Sequence, residues 1–402
     1  MQGHSSTVRR LKRHWRDDRT KIFLAVSSAW FLSIGVRLTY PVLLPFLRAD
    51  FGLSLTAAGL LLTVLWLSYA VGQIPGGVLA DRFGEGSAMV VSMAIAAMTI
   101  TLIVAAGSTV ALFVGTALLG FAIALFGVVR LTALADIYPK QVGTVHGFLG
   151  AVGDVGNIVL PPTAGFIAAA TMWQFGFGFL VPIFVAVAAA LWIVVPTRTS
   201  PATDRSTLSI ENVRHVLSEL RRLSLVLATA LMILSLSISQ AFAGFFPTYL
   251  IEIKSLSPGL ASGLFALFFA LGALIRPLAG NAYDRIGVRR TLLLVTGLSA
   301  AGLAALPFVE GLLLLSGVTV VIAFMAGRGT VTLAYMTVSL PSDVQNTGLG
   351  VLRTVFFTIG ASSPAIFGAI ADRGYFDEAF LLLAALSGLG LLVIAWLPPV
   401  RE

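Results

Sequence analysis

Cysteine is absent from this chain, which excludes disulfides, thiolate metal sites and a cysteine nucleophile. Charge is scarce: Asp, Glu, Lys and Arg make up 11% of the 402 residues, where a soluble domain carries about a quarter. So few charges do not cover a water-facing surface. The four histidines, His4, His14, His146 and His215, lack metal-ligand spacing, so no metal site is expected. The chain also has no nucleotide-binding loop and no catalytic constellation, which argues against an enzyme, a cofactor or direct ATP drive. It has no long polar stretch for an output domain either. The longest internal loop, 197–222, has about 26 residues, which disfavours a membrane sensor that binds a solute without moving it.

Apolar residues fill the sequence instead, at 57% of the chain with a mean hydropathy of +0.96. A bilayer-spanning helix needs about 20 mostly apolar residues. Runs bounded by charge, Pro or Gly clusters predict twelve spans, at 22–46, 56–80, 87–107, 109–135, 143–169, 173–196, 223–250, 258–280, 291–308, 311–340, 344–370 and 376–397. The expected fold is an all-α membrane protein with two six-helix bundles, 22–196 and 223–397. A basic leader (1–21), the polar central loop (197–222) and a short tail (398–402) flank them. The run from Ile22 continues to Pro45, too long for the apolar core of a signal peptide, and reads as a retained first span.

Net charge is +8, a balance that in a soluble protein would suggest nucleic acid. Here its distribution points to topology instead, and no nucleic-acid partner is expected. Eighteen of the 26 Lys and Arg fall in the leader, the central loop, the tail and the loops on the same side, and the opposite loops hold Arg48, Lys254 and Arg373. By the positive-inside rule both termini and the central loop are expected in the cytoplasm, with the chain multi-pass in the cytoplasmic membrane. The leader's basic cluster is also placed to meet anionic lipid heads.

A shift of 203 residues aligns the two halves. Gly77, Asp81, Arg82 and Gly84 meet Gly280, Asp284, Arg285 and Gly287, and Thr144, Gly147, Pro161 and Gly165 meet Thr347, Gly350, Pro364 and Gly368. The loops Gly77-Val-Leu-Ala-Asp81-Arg82-Phe-Gly84 and Gly280-Asn-Ala-Tyr-Asp284-Arg285-Ile-Gly287-Val-Arg289-Arg290 resemble the signature loops of the major facilitator superfamily, and the resemblance covers the whole chain. It implies two parallel six-span halves that rock about a central site. The glycines allow a tight turn, and the acid either caps a neighbouring helix or pairs with a basic residue. One departure weakens the first copy: Glu85 and Gly86 stand where family members usually have basic residues, so the first latch is expected to be the weaker. Drug exporters of that family carry a Gly-Pro-rich motif in span five, which Asp154 and Asn157 interrupt here.

Five arginines fall inside predicted spans: Arg37, Arg130, Arg276, Arg328 and Arg353. Each costs at least about 2.5–3.5 kcal/mol near the bilayer centre, so they are expected to face a shared wet interior. Asp154 is the clear intramembrane acid, with Asp136 at the edge of span four. One acid does not neutralise five cations, and an anionic substrate is the simplest partner. Depth places Arg37, Arg328 and Arg353 near the midplane and Arg276 and Arg130 lower, where snorkelling or pairing competes with a binding role. The repeat pairs Arg37 with Gln240 and Arg276 with Gln73, each a guanidinium opposite an amide. Tyr40 shares a helix face with Arg37 and either orients a ligand or fills a helix interface. Asp154, with Arg130 and Asn157 near it, is the candidate for proton coupling or, alternatively, for a permanent salt bridge with Arg130.

The leading expectation is secondary active transport of a small organic anion, most simply a carboxylate, by a monomer coupled to protons or a counter-anion. The alternatives are proton-driven multidrug efflux, which needs an apolar cavity with accessible acids, and an inorganic, nitrate-like oxyanion carrier.

Overall fold

The computed structural model describes residues 3–139, 141–199, 221–340 and 345–398. Most of the expected central loop and tail, and the leader side chains up to Asp18, lie outside the described residues. Among those residues the chain is almost entirely helical and has no strand.

Eleven segments are helical, long and apolar enough to cross a bilayer, and Val142–Ala170, a 29-residue helix, makes the twelfth. That helix is span five. Asp154, Asn157, its glycines and the Pro161-Pro162 pair lower its hydropathy below that of its neighbours. The spans follow the expected order: Gly3–Phe51, Leu55–Phe83, Glu85–Val104, Thr109–Ile137, Val142–Ala170, Trp173–Val194, Leu223–Glu252, Pro258–Ile286, Val288–Phe308, Leu312–Ser339, Gln345–Ala371 and Phe376–Ala395. The first helix runs past the expected boundary at 46 to Phe51, so Arg48 lies in a helix and not in a loop.

Three spans are broken. Span six pauses at Phe179, three residues before Pro182. Span eleven breaks at Ser362, where Pro364 cannot donate to the preceding turn and Ser362 N bonds back three residues to Ile359 O. Span ten breaks at Ala323 and Phe324. There Ala326 N and Gly327 N donate to Ala323 O and Phe324 O, tightening the turn just before Arg328.

The chain forms two compact units that cut across several spans. The first comprises Met1–Arg37, Ser68–Leu160 and Gln174–Asp204, and the second Leu38–Leu67, Pro161–Trp173 and Arg205–Glu402. In the first unit, spans three and four pack closely, with Ser92 Oγ donating to Ala122 O at 2.6 Å.

In the second unit, the far ends of spans one, two and five (the ends away from the leader) join the six later spans. Lipid gives no hydrophobic drive for helices to associate, so close contact rests on small residues and polar bridges. A Cβ on Gly59 would stand 2.2 Å from Pro364 O, and one on Gly368 would stand 2.2 Å from Leu55 O. The Asp372 carboxylate caps the start of span two, accepting from Leu55 N at 3.0 Å and Thr56 Oγ1 at 2.8 Å. Ala365 N donates to Thr63 Oγ1 at 3.2 Å, and Arg48 is ion-paired with Glu252. This end is tightly zipped.

Candidate functional site

In the first unit, Arg37 is buried at 4% exposure, and its Nε donates to Ser33 O at 3.1 Å. Its guanidinium stands 4.3 Å from the centre of the Tyr69 ring and 5.7 Å from that of Trp30. Arg130 lies over the same Trp30 ring at 3.4 Å. Trp30 itself is pressed against Gly153, where a Cβ would meet its indole nitrogen at 2.3 Å. Spans one, two, four and five thus hold two cations on a shared aromatic surface, each contact worth about 0.5–2 kcal/mol. Gln73, one turn from Tyr69, is half-buried beside Gly127. Trp30 and Tyr69 are not among the residues that charge or motif marks in the sequence. Their signal was spacing, since Trp30 lies seven residues before Arg37 and Tyr69 four before Gln73, each on one helix stripe. Tyr40, expected beside Arg37, is fully buried and belongs to the second unit.

Asp154 is half-buried, and Asn157, one turn along span five, is buried with its Oδ1 lacking a hydrogen-bond partner among the described residues.

In the second unit, Arg276 and Arg353 line one cavity of about 370 Å³. Spans seven, eight, ten and eleven form it. Ser235, Ser239 and Thr330 supply hydroxyls, and Met232, Leu236, Met325, Leu333, Phe356 and Phe357 supply an apolar wall. No acid is among the residues that line the cavity; Glu252 and Asp284, which stand on spans seven and eight, lie in the last turns of those helices, away from the lining. Gln240 is buried and does not line the cavity. Its neighbour Ser239 does.

Arg328 departs from the expected group. It is absent from the Arg276–Arg353 cavity and instead lines a separate small one with Thr296 and Thr332, donating from Nη1 to Ser387 Oγ at 3.1 Å. The break in span ten accounts for the shift. It re-aims the helix just before residue 328, so depth along a regular helix gave the height but not the direction.

The two signature loops share a backbone and differ in their surroundings. Gly84 (φ +91°) and Gly287 (φ +83°) occupy the same left-handed conformation, which favours glycine at both. Around the first, residues 196–199 fold over the turn. Gly86 N donates to Thr197 O at 3.0 Å, Thr199 N to Glu85 Oε2 at 2.8 Å, and Arg198 Nη2 to the carbonyls of Asp81 and Arg82 at 3.2 Å. A Cβ on Gly84 would meet Thr197 O at 2.1 Å. Glu85 and Gly86, the departure from the family pattern, are therefore what receive this strap. Around the second loop Asp284, Arg285, Gly287, Arg289 and Arg290 are exposed, and a Cβ at Gly280 or Gly287 would meet open space. Neither Asp81 nor Asp284 makes an ion pair among the described residues.

A model of the Major Facilitator Superfamily matches residues 25–280 and 227–402. A hexuronate transporter of Bacillus subtilis is 26% identical over 96% of this chain and 94% of its own length. A nitrite extrusion protein of the same organism is 27% identical over 81% of each chain. Among solved structures, the nucleoside transporter NupG superposes with a TM-score of 0.78 at 12% identity, covering 94% of this chain and 98% of that one.

Proposed function

Because the chain belongs to the major facilitator superfamily and is a multi-pass secondary transporter, not an enzyme, we propose that its cargo is a small organic anion, with a carboxylate as the recognised group. The observation that carries this reading is the cavity shared by Arg276 and Arg353, two guanidinium groups among lining residues that include no acid. A carboxylate satisfies such a pair with charge-assisted, bidentate hydrogen bonds, and the hydroxyls of Ser235, Ser239 and Thr330 suit further oxygen atoms. The relatives named for hexuronate and nitrite both carry anions, which supports the charge class.

Size and lining favour an organic body over a four-atom oxyanion. A cavity of about 370 Å³ falls in the range of small-molecule sites, roughly 300–1,000 Å³. Its methionine and phenylalanine wall has nothing to offer nitrate. Multidrug efflux fits less well, since lipophilic cations do not enter beside two arginines. We assign the chain to the cytoplasmic membrane with both termini inside, acting as a monomer. Asp154 is the proposed proton-coupling group, beside the buried amide of Asn157.

Uptake into proteoliposomes tests the reading. A labelled hexuronate should accumulate, unlabelled carboxylates should compete, and nitrate at equal ionic strength should not. Accumulation of nitrate without competition by any carboxylate would overturn the organic reading and favour the inorganic one.

A further inference from the structure

Arg328 lies in the interior of the second unit at 5% exposure, away from the proposed substrate cavity. Only Nη1 has a described partner, Ser387 Oγ at 3.1 Å. Nε and Nη2 are fully buried without hydrogen-bond partners among the described residues. Thr296 Oγ1, which lines the same cavity, is also buried without a hydrogen-bond partner among the described residues. A buried guanidinium left in this state costs several kcal/mol, and buried charges in folded proteins are paired.

Among the described residues, no acid lines this pocket. The helices that enclose the pocket are spans seven, nine, ten and twelve. Residues 223–251, 288–309, 311–340 and 379–395 hold no Asp or Glu. The groups facing Arg328 from those helices are hydroxyls: Ser235, Thr296, Thr332 and Ser387. Hydroxyls solvate an ion well but carry no charge.

The pocket has a volume of about 10 Å³, where roughly 10–15 Å³ holds one water-sized occupant. A carboxylate or nitrate has three or more heavy atoms and does not enter. A water molecule fits but leaves the charge uncompensated. One small monatomic anion meets both requirements of size and charge.

We propose that the Arg328 pocket is a resident halide site, holding chloride under ordinary conditions, bound by Arg328 Nε and Nη2 with Thr296 Oγ1. The bound ion neutralises Arg328 and is a fixed structural counter-ion, not cargo. Ser235 lines both this pocket and the Arg276–Arg353 cavity, so the ion sits one side chain away from the proposed substrate.

Two measurements decide the matter on the full-length purified protein. Crystals grown in bromide should show an anomalous peak between Arg328, Thr296 and Ser387. Melting temperature should rise with chloride or bromide and not with nitrate at equal ionic strength, since a ligand bound only by the folded state stabilises it by mass action. The halide shift should vanish in Arg328→Gln and shrink in Thr296→Val, yet survive in Arg353→Ala, which removes a cation from the other cavity. Absence of the peak in bromide-grown wild-type crystals, or a halide shift lost in Arg353→Ala, would overturn the proposal. The wild-type diffraction experiment decides even if Arg328→Gln fails to fold.

Discussion

Arg276 on span eight and Arg353 on span eleven line one cavity, though 77 positions separate them in the chain and no acidic side chain is among the residues that line it. The two cations therefore meet in a cavity whose lining is otherwise hydroxyl and apolar.

Removing either cation should weaken anion binding far more than it weakens the fold. Loss of one charge-assisted hydrogen bond costs about 1.5–3 kcal/mol, or about ten- to a hundredfold in affinity. Arg353→Ala and Arg276→Gln should each raise the apparent KM for the carboxylate by this amount. Arg353→Lys should recover only part, since an ammonium lacks the bidentate fork. Initial uptake rates in proteoliposomes give the answer.

Arg37 and Arg130 share the Trp30 ring, so Trp30→Ala should disturb both. The expected loss is about 1–3 kcal/mol, from two cation–π contacts and the packing against Gly153. It reads out as a lower melting temperature together with reduced uptake. Tyr69→Phe keeps the ring under Arg37 but removes the hydroxyl that bonds to the guanidinium, and should cost less stability than Trp30→Ala. A Tyr69→Phe variant as damaged as Trp30→Ala would show that the hydroxyl, not the ring, holds Arg37.

The strap over the first signature loop predicts an asymmetry between the halves. Gly84→Ala forces a left-handed backbone on alanine and drives its Cβ into Thr197 O, whereas Gly287→Ala carries the backbone strain alone. The first variant should lower the melting temperature clearly more than the second. Equal effects would mean that residues 196–199 do not hold the turn.

At the far end, Asp372 predicts a pH dependence. Partial desolvation pushes its carboxyl up, but hydrogen bonds from Thr56, Leu55 N and Ser54 outweigh this and hold it below the ordinary carboxylate range. A depressed folded-state value means that the unfolded chain binds the proton more readily. The contribution is therefore present above the ordinary value near 4 and is lost as pH falls through the lower folded value. Asp372→Asn should lose stability at pH 7 and behave like the parent protein at low acidic pH. Thermal unfolding across pH 3 to 7 measures both arms.

Much of the fold was legible because it rests on periodic, repeated signals. Apolar runs located the spans, and the 203-residue repeat matched Gly84 with Gly287, which share a left-handed backbone. The candidate site was legible only in part. Charge scarcity and the lipid cost singled out Arg37, Arg276 and Arg353 as buried or cavity-lining, but composition does not encode where a broken helix points. Arg328 was placed with them by depth, and the tight turn before it sent the side chain elsewhere. Tyr40 lies close in sequence to Arg37, while the ring that meets the guanidinium, that of Tyr69, comes from another span. Glu85 and Gly86 read as a weakened motif, whereas their use lies in the strap more than a hundred positions away.

The most direct test of the central claim is equilibrium binding of a hexuronate to the purified wild-type protein and to Arg276→Gln/Arg353→Gln, by calorimetry at fixed ionic strength. The account predicts saturable binding to the wild type that the double variant loses, while nitrate gives no heat with either. Hexuronate binding that survives removal of both guanidinium groups would contradict it.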